Sequence, residues 1–206
     1  MRLPRRSLLA LPALVPTLAV APTAFAQIAA NDPRLTERSL GRPDTRPVVI
    51  EFFSLTCGHC AAFHRDVFPR VKSQLIDTGR IRMVLRDFPL DQLGLAAAAV
   101  ARSLPEASYD AFISTLLSTQ DRWAFNRNGD PAAEIAKLAA IAGMSREQVN
   151  AAMGDRDLQR AILEGRQRAE QEYRVNSTPT FVFGNKVVPG GMPFDRFAEY
   201  VREASA

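Results

Sequence analysis

The two cysteines of the 206-residue chain lie close together, in the sequence Cys57-Gly58-His59-Cys60. A pair at this spacing can act as a dithiol/disulfide switch or supply half of a metal site. A purely structural disulfide is the weakest interpretation, because closing so short a loop removes little entropy from the unfolded chain. Any thiol chemistry of this protein takes place at these two residues.

The cysteine pair falls between a predicted strand and a predicted helix. Residues 48–53 form a continuous apolar run that is typical of a central strand buried on both faces. Glu51 interrupts this run, and its carboxylate would lose hydration there unless it reached water at a strand edge. After the cysteines, apolar residues recur every four positions and predict a helix with a kink near Pro69; these residues are Phe63, Val67, Val71 and Leu75.

The rest of the chain predicts a second strand, a block of helices and a hairpin. Apolar and other residues alternate over residues 81–86, and a strand, helix, strand order implies a parallel pair with a crossover. Residues 90–174 contain no strand-like run and indicate four or five helices, with Trp123 in their core. Residues 178–188 predict a hairpin that turns at Gly184-Asn185, followed by a closing helix over residues 194–201.

The N-terminal 26 residues have the pattern of a secretory signal peptide. A basic start with Arg5 and Arg6 precedes an apolar stretch, and Ala24-Phe25-Ala26 supplies a small-residue cleavage site. The stretch is interrupted by Pro12 and Pro16 and is shorter than the roughly 20 residues that span a bilayer, which favours cleavage over a membrane anchor. The general secretory route is favoured over the twin-arginine route, whose motif Arg5-Arg6 matches only loosely.

The charge of the remaining chain excludes one class of partner. The signal peptide carries three of the 26 basic residues and none of the 22 acidic ones, so the exported part has a net charge near +1. It contains no basic stripe with interleaved aromatic residues, and nucleic-acid binding therefore has no electrostatic support. Two cysteines are also too few for a disulfide-stapled scaffold, so the apolar core has to stabilise the fold.

The order of elements, together with two motifs, resembles a known family. The motifs are the Val49–Ser54 run that leads into Cys57-Gly58-His59-Cys60, and Ser177-Thr178-Pro179-Thr180-Phe181 ahead of the hairpin. From about Val48 to Val201 the chain resembles the thioredoxin fold, an α/β fold. With a helical insertion between the second and third core strands, it resembles the DsbA family of exported dithiol oxidoreductases.

This resemblance implies a role for each site residue. Cys57, at the helix N-terminus, would be the exposed nucleophile with a depressed pKa, and Cys60 the shielded resolving thiol. His59 would stabilise the Cys57 thiolate, and Glu51 would exchange a proton with Cys60. Thr178-Pro179 would be a cis-proline dipeptide that offers its backbone to an extended substrate, although a trans proline at the start of a strand is the alternative.

Two alternatives stay open at the cysteine pair. His64 lies four residues beyond Cys60 and could share its helical face, which allows a zinc or copper carrier built from Cys57, Cys60 and His64. The dipeptide Gly58-His59 is the one usual in protein disulfide isomerases, whereas DsbA proteins commonly carry Pro-His. Families with these dipeptides differ in reduction potential by roughly 60 mV, so the net direction of exchange is open between an oxidase and an isomerase or reductase.

The sequence thus predicts a periplasmic thiol:disulfide oxidoreductase without a cofactor or a resident metal. Its domains are a signal peptide over residues 1–26, a loose lead-in over 27–47, a thioredoxin-like domain over 48–89 and 175–206, and a helical insertion over 90–174. The expected partners are exported proteins with free thiols and a membrane redox protein that reoxidises the pair. A monomer is expected.

Overall fold

The computed structural model describes residues 32–205, and the predicted signal peptide lies outside this range. The strands are β1 (Arg38–Leu40), β2 (Val48–Phe53), β3 (Arg82–Asp87), β4 (Thr180–Phe183) and β5 (Lys186–Pro189). They form one sheet in the order β1-β3-β2-β4-β5. The central strand β2 runs parallel to β3 and antiparallel to β4, which confirms the predicted crossover pair.

Nine α-helices lie along residues 32–205. They are α1 (Gly58–Asp66), α2 (Phe68–Val71), α3 (Gln92–Arg102), α4 (Glu106–Ser118), α5 (Gln120–Trp123), α6 (Pro131–Ile141), α7 (Arg146–Gly154), α8 (Arg156–Tyr173) and α9 (Phe194–Ser205). The predicted kink is present, because α1 ends at Asp66 with Val67 as its C-cap, and α2 begins with Pro69 in its first turn. A single π-helical turn, Lys72–Ile76, continues α2.

Two details of the sequence prediction are wrong. The lead-in was expected to lack regular structure, yet residues 38–40 form β1, which pairs antiparallel with β3 at the edge of the sheet. The helical block contains six helices, α3 to α8, where four or five were expected. The additional helix is the four-residue α5, which is too short to show a period in the sequence.

The alternation of β2 divides the core between the two faces of the sheet. Val49 and Phe53 point into the larger cluster, which also contains α1 and most of the helical block. Phe52 points to the other face and packs with Phe88, Ala169, Val175 and Val182. Glu51 lies between Val49 and Phe53 in the strand, so its side chain enters the face that α1 covers.

The helical block packs as expected around its aromatic residue. The Trp123 side chain is buried, and its Nε1 donates a hydrogen bond of 2.7 Å to the carbonyl of Leu116.

The predicted hairpin is confirmed: β4 and β5 pair, and Gly184 takes a positive φ of 58° in the tight turn between them.

Within residues 32–205, none of the helices combines the length and the apolar character that crossing a membrane would require.

Candidate active site

The cysteine pair lies at the start of α1, directly beyond the end of the central strand. Cys57 is the N-cap residue of α1 and has an extended backbone, while Gly58, His59 and Cys60 form the first helical turn. The first N–H groups of a helix have no partner inside the helix. The thiol of Cys57 forms no side-chain capping bond, but the N–H groups of His59 and Cys60 stabilise its thiolate.

The Cys57 thiol is strongly acidic in this position. A hydrogen bond from the Cys60 thiol, the Thr178 side chain and the backbone N–H groups of Cys60 and His59 together lower the pKa of Cys57 to about 5, against the opposing effect of burial. The side chain is less accessible than expected, since Cys57 is 7% exposed. The prediction that the nucleophile is exposed is therefore wrong, because Cys57 is buried.

Cys60 has the opposite character. It is fully buried one turn inside α1, and both cysteines are free thiols. Burial raises the pKa of Cys60 well above its ordinary value, and the neighbouring Cys57 and the charge of Glu51 raise it further. The two thiols therefore differ as a nucleophile and a shielded partner should.

The Thr178-Pro179 dipeptide lies against Cys57, and its peptide bond is cis. The Cys57 thiol donates a hydrogen bond of 3.2 Å to the carbonyl oxygen of Thr178. The hydroxyl of Thr178 is buried and has no geometric hydrogen-bond partner among residues 32–205. It is therefore free to donate to Sγ once the thiolate has formed. The proposed contact of this dipeptide with substrate stays a prediction.

Glu51 and His64 form a buried pair on the covered face of β2. Nε2 of His64 lies 3.0 and 3.1 Å from the two carboxylate oxygens of Glu51, which is 0% exposed. The strand-edge alternative for Glu51 is therefore wrong. His64 was considered as a metal ligand beside the cysteines, but its Nε2 faces Glu51 instead. No group of three or more His, Cys, Asp or Glu side chains in the described range is arranged to hold a metal ion.

His59 contributes differently from the expectation. Its side chain is exposed at the first turn of α1, and its contribution to the acidity of Cys57 comes from its backbone N–H group. The predicted effect of a charged imidazole on the thiolate stays a prediction.

Gln120, which no pattern in the sequence indicates, joins the helical block to the active-site turn. Gln120 is 5% exposed, and its Nε2 donates hydrogen bonds of 2.7 Å to the carbonyl of Leu55 and 3.1 Å to that of Cys57. The link depends on a contact across 63 residues, and no local pattern in the sequence could have shown it.

The comparison with known proteins agrees with this geometry. A family model described as thioredoxin matches residues 34–203. The chain belongs to the thioredoxin family. Within this family the chain is similar to DsbA proteins, and its helical block lies between the second and third core strands in chain order, β3 and β4. The fold predicted from the sequence is therefore confirmed.

Solved structures of DsbA and BdbD proteins resemble the chain over most of its length. The alpha-DsbA1 protein of Wolbachia pipientis is 27% identical, with a TM-score of 0.75 over 82% of this chain and 91% of that one. BdbD of Bacillus subtilis shares the fold at 18% identity, with a TM-score of 0.72 over 82% and 92% of the two chains.

Curated relatives are longer than the aligned region. A Rickettsia bellii protein that bears the name protein-disulfide oxidoreductase is 30% identical over 144 residues, which are 69% of this chain and 54% of that protein. A Rickettsia felis relative of the same name is 29% identical over 167 residues, 80% of this chain and 59% of that protein. The chain thus spans between half and three fifths of these relatives.

Proposed function

We propose that the protein is an exported thiol:disulfide oxidoreductase that passes a Cys57–Cys60 disulfide to the thiols of other proteins. The observation that carries the proposal is the contrast between the two thiols. With a pKa of about 5, Cys57 is roughly 99% thiolate at pH 7. Cys60 is buried and stays protonated.

The exchange would proceed in two displacement steps. A substrate thiolate attacks Sγ of Cys57, the Cys57–Cys60 bond breaks, and Cys60 leaves as a thiolate that takes up a proton. A second substrate thiolate then attacks the substrate sulfur of the mixed disulfide, which forms the substrate disulfide and releases the Cys57 thiolate. Glu51, whose charge acts on Cys60, would supply and remove the Cys60 proton. The backbone at Thr178-Pro179 would hold the substrate segment.

The acidity of Cys57 favours the oxidising direction. A hydrogen-bonded thiolate stabilises the reduced protein, and a stabilised reduced form gives up its disulfide more readily. We therefore expect an equilibrium with glutathione to yield a reduction potential well above the roughly −270 mV of thioredoxin. A value as negative as that of thioredoxin would contradict an oxidase.

The two cysteines should differ in their ability to trap substrates. Cys60→Ser leaves the nucleophile without its resolving thiol, so mixed disulfides with substrate proteins should accumulate, whereas Cys57→Ser should trap none. Non-reducing electrophoresis of each variant, after incubation with a reduced and unfolded protein in mild oxidant, measures the adducts. Trapping by Cys57→Ser alone would reverse the assigned roles.

Disulfide isomerisation is the second candidate, because Gly58-His59 is the dipeptide usual in isomerases. Gly58 is not required by the backbone, since a Cβ atom there would meet nothing within 4 Å and φ is not positive. Proline is well tolerated at the first position of a helix. The wild type and Gly58→Pro should be compared in two measurements: the reduction potential, and the rate at which each rearranges the disulfides of a scrambled protein. This comparison separates an oxidase from an isomerase. Faster rearrangement by the wild type at an unchanged potential would favour an isomerase.

Export and partners complete the proposal. The leader pattern of residues 1–26 supports secretion with cleavage after Ala26. A periplasmic oxidase that acts repeatedly needs an electron acceptor, and a membrane redox protein is proposed for this role. The oxidase itself would act as a monomer.

Mass spectrometry of the protein from a periplasmic extract should find Gln27 at the N-terminus. A chain that retains residues 1–26 in that extract would contradict cleavage.

A further inference from the structure

His64 lies beneath the active site in a position that the exchange mechanism leaves unexplained. His64 is 7% exposed, and its Nε2 contacts both oxygens of the fully buried Glu51 carboxylate. A carboxylate and an imidazole in contact can pass a proton between them over this bond. The pair is therefore equipped for proton transfer as well as for charge neutralisation.

The imidazole ring is held in one orientation by aromatic neighbours. It stacks on Phe68 with ring centroids 4.6 Å apart, meets Phe63 edge-on at 5.7 Å, and lies tilted to Phe53 at 6.4 Å. Because the ring cannot turn freely in this cage, its second nitrogen points away from Glu51. This atom, Nδ1, is buried and has no hydrogen-bond partner within the described part of the chain.

A second unpartnered polar atom lies on the helix that packs against α1. Asp110 belongs to α4, which contacts α1, and its Oδ1 atom is buried without a hydrogen-bond partner among residues 32–205. Burial raises the pKa of Asp110, whereas Lys72 and His64 lower it and Asp77 raises it. Unlike Glu51, Asp110 is only partly buried, so it connects the interior to the surface.

Charged groups on three elements act on His64 or on Asp110. Glu51 of β2 contacts His64, and His64 acts electrostatically on Asp110 of α4. Lys72 and Asp77 of the π-helical turn, which form a surface ion pair of 2.7 Å, also act on Asp110. Buried polar atoms without a partner are rare in folded proteins and call for an explanation. Here two such atoms, Nδ1 of His64 and Oδ1 of Asp110, belong to the packed helices α1 and α4.

The chemistry of Cys60 supplies that explanation. Cys60 has to lose a proton before it attacks Cys57 and regain one when it leaves, yet it is 0% exposed. Glu51 can accept this proton, but Glu51 is as completely buried as Cys60. Because Glu51 gains and loses this proton in each cycle, the proton needs a route from Glu51 to water.

We propose that His64 is the second carrier of the Cys60 proton, which passes from Glu51 to Nε2 and leaves from Nδ1 toward Asp110. The inference rests on the thiol:disulfide exchange proposed above. When the pair is reoxidised, Cys60 gives its proton to Glu51, its thiolate attacks Sγ of Cys57 in the mixed disulfide, and the other sulfur of that disulfide departs as a thiolate. The protonated Glu51 then transfers the proton to His64, which restores the carboxylate for the next cycle.

The reduced exported protein reacts with dithiobis(nitrobenzoate), an aryl disulfide, in two phases, and these phases test the proposal. The Cys57 thiolate of the reduced protein attacks this aryl disulfide and releases one coloured thiolate; Cys60 then attacks Cys57 and releases a second. The rate of the first phase reports the reactivity of Cys57, and the rate of the second phase reports the loss of the buried Cys60 proton. His64→Gln keeps an N–H donor for Glu51 but cannot relay a proton.

The expected result is a selective loss of the second phase. His64→Gln should slow the second phase at pH 7 by about tenfold or more, below the roughly 10²–10⁴-fold of a direct general acid or base because His64 acts through Glu51, and the difference from the wild-type rate should shrink as the pH rises. The first phase should stay within about twofold of the wild type, because the groups that lower the pKa of Cys57 are untouched. Asp110→Asn should slow the second phase by a smaller factor, about threefold.

Controls separate this role from a structural one. Val149→Ala removes buried volume from α7 in the helical block, away from the path, and should leave both phases unchanged. If His64→Gln does not fold, Asp110→Asn still tests the route, because Asp110 is only partly buried. The proposal is overturned if the second phase of either variant matches the wild type across the pH range, or if His64→Gln slows both phases equally. A wild type that releases no second thiolate would instead contradict the proposed function itself.

Discussion

At the scale of single residues, the reactivity of the two thiols follows from what each of them faces. Cys57 caps a helix and lies against Thr178, so several donors converge on its sulfur. Cys60 is three residues further along the same helix, where burial and the charge of Glu51 oppose ionisation. Identical side chains thus acquire opposite acid–base behaviour within one helical turn.

The Thr178 hydroxyl should account for part of this difference. Thr178→Val keeps the shape of the side chain but removes a donor to the Cys57 thiolate. A hydrogen bond to a charged group contributes about 1.5–3 kcal/mol, so the pKa of Cys57 should rise by about one to two units. The pH dependence of Cys57 alkylation by iodoacetamide measures it. The reduction potential should become more negative in parallel, because the thiolate is less stable.

The matched control for this variant is Thr115→Val. Thr115 lies on the exposed side of α4, where its hydroxyl bonds the carbonyl of Ala111, and its loss should leave the alkylation profile unchanged. An unchanged profile for Thr178→Val as well would show that the backbone N–H groups alone stabilise the thiolate.

At the scale of elements, the helical block fixes the turn that carries the nucleophile. Gln120 of α5 bonds two carbonyls of this turn, and the backbone N–H of Leu90 donates to Ser54 Oγ over 3.3 Å. Gly94 of α3 packs so closely that a Cβ atom there would lie 2.9 Å from Thr56 Oγ1. Two helices and a loop of the block therefore contact the segment between β2 and α1.

Removing the Gln120 side-chain amide should loosen this segment. Gln120→Leu leaves the Leu55 carbonyl without this donor, while the Cys57 carbonyl still accepts from the N–H of Ala61. Loss of such a buried contact costs about 1–3 kcal/mol, to be measured as the free energy of unfolding in urea. Gln92→Leu removes only an exposed 3.4 Å contact with Gln159 and should cost less than about 0.5 kcal/mol. Equal effects of the two substitutions would contradict the role of Gln120.

The same contacts show why the sequence predicted some elements and missed others. The strand β2 and the helix α1 carry sustained apolar patterns, and the hairpin has a recognisable Gly184-Asn185 turn, so all three were predictable. The strand β1 has three residues and exists because β3 offers it an edge to pair with. The Glu51–His64 pair had only a weak signal, namely that His64 follows Cys60 by one helical turn.

At the scale of the whole molecule, the redox state of the Cys57–Cys60 pair affects the stability of the entire fold. The larger apolar cluster includes both cysteines, strands of the sheet and helices of the block, so unfolding exposes the site together with the core. Each thiol then returns to an unfolded pKa of about 8.5. Any difference between its folded and unfolded pKa becomes a pH-dependent difference in stability.

This linkage predicts the pH dependence of the stability difference between the reduced and the oxidised protein. The folded pKa of Cys57 is lowered to about 5, so its contribution is complete above about pH 8.5 and is lost as the pH falls toward 5. The folded pKa of Cys60 is raised, so its contribution is complete below about pH 8.5 and is lost above it. The reduced form should therefore gain stability relative to the oxidised form up to about pH 8.5 and lose it beyond, with slopes of at most about 1.4 kcal/mol per pH unit.

Urea unfolding of both redox forms between about pH 4 and 10 measures this curve, because groups that titrate alike in the two forms cancel in the difference. Cys57→Ala provides the control for the part of the curve below about pH 8.5. Its stability relative to the oxidised wild type should lack the rise between about pH 5 and 8.5 and keep the fall above it, since Cys60 remains. A difference curve that is flat between about pH 5 and 8.5 in the wild type would mean that Cys57 is not preferentially ionised in the folded protein, and the basis for an oxidising disulfide would be lost.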